Sequence, residues 1–142
     1  MGQEDSIREL HSFLKQVDRK PFQWGVWDCL IFTNEAFRRM HGEGWADDLL
    51  NRYIQGDTLL TRSQVRREYG YQTVDDMLRD RFERAYDVPP RGALVTSSET
   101  YLTANYLGVG FGIAVGTSAA FLSASGVVYY PIETIDSAWV KQ

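Results

Sequence analysis

Apolar residues recur at helical spacing at Ile7, Leu10, Leu14 and Val17, which predicts a first helix capped by Asp5 or Ser6. It should end near Asp18, because Arg19, Lys20 and Pro21 follow. A Gly- and Trp-rich loop spans residues 22–27, and Gly25 allows a backbone conformation that a side chain would block. Asp28 is a candidate N-cap for a second helix. On that helix Cys29, Thr33, Ala36 and Met40 share one face, flanked by Leu30, Phe32 and Phe37. The spacing predicts a buried helix ending near residues 40–42. Residues 47–55 (DDLLNRYIQ) predict a short helix with acids at its start. Thr61 with Gln64 resembles a capping box, opening a helix that runs to Glu68 and closes at Gly70. Thr73 with Asp76 is a similar start. The apolar stripe behind it is Val74, Met77, Leu78 and Phe82, with Arg79, Asp80 and Glu83 outward.

After Pro89 and Pro90 the period changes from helical to alternating. Strands are predicted at residues 93–96, 109–115, 119–124 and 127–130, with a last edge strand at 138–140 and a polar connection at 97–105. The sharpest alternation sets Val109, Phe111, Ile113 and Val115 against Gly108, Gly110, Gly112, Ala114 and Gly116. One face of that strand is bulky and the other almost bare, so something can approach its backbone closely. The expectation is a single α+β domain over residues 1–142. Its mainly helical part, residues 1–91, packs on a small antiparallel sheet formed by a β-meander at residues 92–142.

Charge supports that division. Of 15 Lys and Arg, all but Lys141 lie at or before Arg91, so the second part is nearly uncharged and its strands need cover, from the chain itself or from a partner. A net charge of −4 without a block of basic residues argues against nucleic-acid binding. The basic cluster Arg62, Arg66 and Arg67 suits either a solvated face or an acidic partner. One cysteine excludes an internal disulfide and a multi-cysteine metal site, and nothing calls for a metal or cofactor. No apolar N-terminal segment suggests a signal peptide, and the apolar run at 106–124 is too broken by Gly and Ser for a membrane span.

The candidate chemistry sits at Cys29, where the Trp-rich loop turns into a helix. A thiol there feels the positive end of the helix dipole, which favours thiolate. His41 cannot serve it as a base, being twelve residues and about 18 Å along the same helix. His41 is better explained by capping at the helix end, and His11 as a partly buried residue of the first helix. Cys29 can also be a small apolar residue filling the junction between helix and bare strand face, with Gly110 permitting the approach.

The residues Pro21, Phe22, Trp24, Gly25, Asp28 and Cys29, followed by helices, a strand meander, and Ala138-Trp139, resemble the NlpC-type endopeptidases. These are papain-like enzymes that cleave peptidoglycan stem peptides. The likeness is nearest to a phage and prophage branch carrying PF-x-WG-x-x-DC. The resemblance implies a catalytic base on the strand at Gly110 and a third polar residue at Ser123, and it implies an acid after Gly92, where Ala93 stands. Only the nucleophile position keeps its chemistry, and a helix dipole cannot protonate a leaving amine. The resemblance therefore points to a catalytically degenerate protein serving as a structural component of a phage virion, its tail above all. Its partners would be other tail proteins in multiple copies. The alternative is an active cysteine endopeptidase or amidase on peptidoglycan, using Cys29 with help from His11, Asp28 or Tyr106. A third reading binds peptidoglycan through Trp24 and Trp27 without cleaving it.

Overall fold

The computed structural model describes residues 3–98 and 109–141. In chain order these form α1 (Gln3–Gln16), α2 (Cys29–His41), β1 (Ile54–Gln55), β2 (Thr58–Leu59), α3 (Arg62–Tyr69) and α4 (Val74–Arg79). There follow β3 (Phe82–Ala85), β4 (Leu94–Ser97), β5 (Gly110–Ala114), β6 (Ser118–Ser123), β7 (Gly126–Pro131), a 3-10 turn (Ile132–Thr134) and β8 (Ser137–Lys141). The fold is α+β. Strands β3 to β8 form one antiparallel sheet in the order β3-β8-β4-β5-β6-β7, and β1 with β2 makes a separate small hairpin.

The second helix begins and ends where its caps require. Asp28 accepts a hydrogen bond from Ile31 N–H at 3.0 Å, and Gly42 closes the helix by donating to Arg38 O at 2.8 Å. The capping box of α3 is present in both directions between Thr61 and Gln64. The first helix starts earlier than its apolar stripe suggests. Asp5 and Ser6 lie inside it, and the Ser6 hydroxyl donates to Met40 O at 3.0 Å, fastening α1 to the end of α2. His11 is exposed, not partly buried, because the buried face of α1 runs through Leu10, Phe13 and Leu14.

Three further expectations need correction. Residues 47–55 do not form a helix. Asn51 takes a left-handed φ of 68°, and the Asp47 and Asp48 carboxylates are drawn to Asn34, Arg38 and Arg81 instead of to a helix end. Phe82 is not the last turn of a helix but the first residue of β3. Its ring packs on Phe37 and Trp45, and β3 pairs with β8 from Phe82↔Lys141 to Ala85↔Ala138. The sheet therefore takes one strand from the mainly helical part. Residues 138–140 are not at an edge either, since β8 lies between β3 and β4 and carries the fully buried Trp139. Of the polar connection expected at 97–105, residues from 99 onward lie outside the described residues.

The sheet has two unlike faces. Phe111 and Ile113 of β5, Ala120 and Leu122 of β6, Leu94 and Trp139 join the side chains of α1 and α2 in the larger core cluster. Val95, Ala114, Ala119, Phe121 and Ala138 form a second cluster on the other side, with Ile132 and Ile135 packed against it. The bulky face of β5 is thus the one α2 packs on, and the bare face points away from the helices. What approaches the bare face is Phe121 of the neighbouring strand. A Cβ built on Gly112 would lie 2.6 Å from Ala120 O and 2.7 Å from the Phe121 ring. Gly112→Ala is expected to cost about 2–3 kcal/mol of stability by overpacking. A lower urea midpoint with an unchanged slope would show this, and an unchanged midpoint would place Phe121 elsewhere.

Candidate functional site

The loop at residues 22–27 is held as a narrow bend. Gln23 and Trp27 exchange backbone hydrogen bonds at 2.9 and 2.8 Å, and Phe22 N–H donates to Ser123 O at 3.0 Å. Gly25 has φ 74°, and a side chain there would collide with Ile54. This bend aims the Gly25 N–H at Asp28 Oδ2, 2.9 Å away, while Oδ1 takes the Ile31 N–H. The Tyr53 hydroxyl donates to the same Oδ2 from the segment before β1. Asp28 is wholly buried and accepts from two local backbone amides and one distant hydroxyl.

Burial pushes the Asp28 carboxyl above its ordinary range, while the bonds from Tyr53, Ile31 and Gly25 pull the other way. Burial also drives the Tyr53 hydroxyl upward, and the neighbouring Asp28 charge adds to this, so Tyr53 stays a donor.

Cys29 is the first residue of α2 and is 0% exposed. It belongs to the same apolar cluster as Leu30, Phe32 and Phe111. Its carbonyl accepts from the Thr33 hydroxyl at 2.8 Å, and that hydroxyl in turn accepts from Trp45 Nε1 at 3.1 Å. The adjoining Asn34 is buried too and is used up in structure, its Oδ1 taking Ala46 N–H at 2.7 Å and its Nδ2 donating to Asp47 at 2.8 Å.

Neither imidazole is brought to this thiol. His41 closes the far end of α2, against Phe37 at 5.4 Å between ring centroids. Burial and then the Lys141 charge push it below its ordinary value. His11 stands exposed on α1. Gly110 and Ser123 are not brought to Cys29 either. Gly110 pairs with Ser97 and Gly112 with Val95, so alternation puts both glycines on the face of Val95, away from α2. Ser123 follows Phe121 on that same face and bridges the tight β6–β7 turn, donating to Gly126 O at 2.7 Å and accepting Ser125 N–H at 3.2 Å. The close approach of Cys29 to the bare face through Gly110 is therefore corrected, because Cys29 lies against the bulky face. Trp27 is buried against Phe13 and Phe32, with Lys20 over its ring at 4.1 Å, and so is not available to a glycan. Trp24 is half-buried, edge-on to Phe22 at 4.7 Å. Tyr106 lies outside the described residues.

Among the described residues, no group of three His, Cys, Asp or Glu side chains is placed to hold a metal ion, and no helix is long and apolar enough to cross a membrane. Of the partners that complete the Asp28 cage, Gly25 belongs to the PF-x-WG-x-x-DC segment, whereas Tyr53 carries no motif in the sequence. Tyr53 is 25 residues from Asp28 and falls in a stretch whose pattern suggests a helix.

The family model described as a domain of unknown function, DUF6950, matches residues 3–140. The chain belongs to this family. The match takes in both the Asp28–Cys29 segment and all of the described sheet but its last residue, so the caged aspartate lies within the family's domain. No curated protein matches the chain.

Because its folded-state value is raised, Asp28 contributes a stability term that is fully present below its unfolded value of 3.8. That term is lost as pH rises through the raised folded value, and is flat above it. Asp28→Asn removes the term and strands the Gly25 N–H, at about 1–3 kcal/mol. The stability gap between wild type and Asp28→Asn is expected to be widest in acid and to narrow on going to neutral pH, measured by urea unfolding of both proteins in parallel. A gap that widens with pH would contradict the raised value.

Proposed function

We propose that this chain is a catalytically silent NlpC-type, papain-like protein that serves as a structural component of a phage virion, in its tail, through contacts with other tail proteins. The observation that carries the silent part is the setting of Cys29. It is fully buried at the start of α2, with Asp28 committed to capping and both imidazoles elsewhere. A cysteine hydrolase needs a solvent-reachable thiol, a base within hydrogen-bond reach and a proton for the leaving amine. The order of helices and antiparallel strands, with a buried Trp139 on the last strand, is compatible with the NlpC-type arrangement that the PF-x-WG-x-x-DC segment suggests. The virion assignment rests on that resemblance.

Surface composition favours a protein that works by contact. Tyr86 and Val88 are 82% and 81% exposed on the loop after β3, and Tyr129 and Tyr130 are exposed on the edge strand β7. Aromatic residues of this kind are enriched where proteins meet.

Two measurements test the proposal together. Wild type and Cys29→Ala are incubated with purified cell-wall sacculi, and particles purified from a lysate are probed for the chain. Equal, background-level peptide release by both forms and recovery of the chain in washed particles are expected. Release by wild type alone would instead support the cysteine endopeptidase or amidase, and absence from particles would remove the structural role.

A further inference from the structure

The basic cluster of α3 borders a groove with two lobes. Arg62 and Arg66 line a cavity of about 560 Å³ whose far wall is Thr73, Asp76 and Arg79 of α4 and its cap. Arg66, Tyr71 and Gln72 also line a second cavity of about 440 Å³, which adds Ser63 and Arg67. The two lobes therefore meet at Arg66 and Tyr71. Each is of the size that holds a small ligand or a few side chains of a peptide.

The charge within the groove is unlike that of the chain as a whole. The formal net charge of the protein is −4, yet four arginines converge here. The local acids are already engaged. Asp76 lies 3.7 Å from Arg79, Asp75 lies 3.6 Å from Arg84, and Glu68 faces Arg52 at 3.3 Å on another side of α3. Among the described residues no carboxylate comes within 4.0 Å of the Arg66 or Arg67 guanidinium, and both residues are exposed. Guanidinium groups present a planar fork that matches carboxylates. Tyr71 supplies an aromatic wall between the lobes, and Gln72 and Thr73 supply amide and hydroxyl groups suited to a peptide backbone.

We propose that this groove docks an acidic peptide segment of a partner protein, with a carboxylate held by Arg66 where the lobes meet and further carboxylates beside Arg67. Two lobes joined at one arginine suit an extended chain better than a single compact anion. A nucleic-acid strand is disfavoured, because Asp75 and Asp76 sit on the wall of the first lobe and the formal net charge of the chain is −4. The docking role does not depend on whether Cys29 is silent.

The test uses a fluorescein-labelled hexapeptide of alternating glutamate and tyrosine, its lysine-for-glutamate counterpart, and a hexadeoxynucleotide, with binding read by anisotropy at low and moderate salt. The variant is Arg66→Gln with Arg67→Gln. The control is Arg8→Gln with Arg19→Gln, which removes the same charge from exposed positions outside the groove. The acidic peptide is expected to bind wild type and control within about twofold of each other, and the groove variant at least about tenfold more weakly, with loss of binding as salt rises. Unchanged circular dichroism melts check that the variant is folded. The proposal is overturned if wild type does not retain the acidic peptide, if the control weakens as much as the groove variant, or if the lysine peptide or the deoxynucleotide binds as well through the same arginines.

Discussion

The carboxylate of Asp28 ties the bend before it and the helix turn after it to Tyr53, 25 residues further along the chain. It accepts from Gly25 in the Trp-rich bend, from Ile31 in the first turn of α2, and from Tyr53 before the small hairpin. A carboxyl removed from water costs several kcal/mol unless its oxygens are bonded. All three donors must therefore be in place together, and this fixes the entry angle of α2. From that angle follow the burial of Trp27 against Phe13 and Phe32 and the seating of α2 on the bulky face of β5.

The same arrangement accounts for the setting of Cys29. A thiol at the first position of a capped helix is the geometry that nucleophilic cysteines use. Here Cys29 is 0% exposed within the larger core cluster, which also holds Tyr53, Phe111 and Ile113, and its carbonyl accepts from the Thr33 hydroxyl that Trp45 in turn donates to. The thiol keeps the helix-opening position of a nucleophile, but it is 0% exposed, and among the described residues neither His11 nor His41 is brought to it. Gly110 and Ser123 lie on the other face of the sheet, so a histidine placed at either position would not lie beside the thiol.

Local signals in the sequence carry much of the fold. The Asp28 cap, the Thr61–Gln64 capping box and the alternation around Phe111 are short-range patterns whose geometry needs no distant partner, and each appears in the structure. What was not legible depends on long-range contacts. Phe82 fits a helical stripe equally well, and only the pairing with β8 and the rings of Phe37 and Trp45 make it a strand. Residues 47–55 have helical composition, but Arg38 and Arg81 capture their acids. Alternation showed that β5 has a bare face without saying which side the helices cover, because that depends on the placement of α2. For the candidate site, Asp28 and Cys29 were visible as a cap and a thiol, while Tyr53 became visible only in three dimensions.

The central claim is that Cys29 is a core residue held beneath the Asp28 cage. The most direct test is the rate at which a small aromatic disulfide reagent labels the single thiol of the native protein, compared with the same protein in urea. Labelling at least about a hundredfold slower in the native state, rising in step with global unfolding, is the predicted result. Native labelling near the unfolded rate, with the fold intact, would mean that the thiol is open to substrate and would contradict the account.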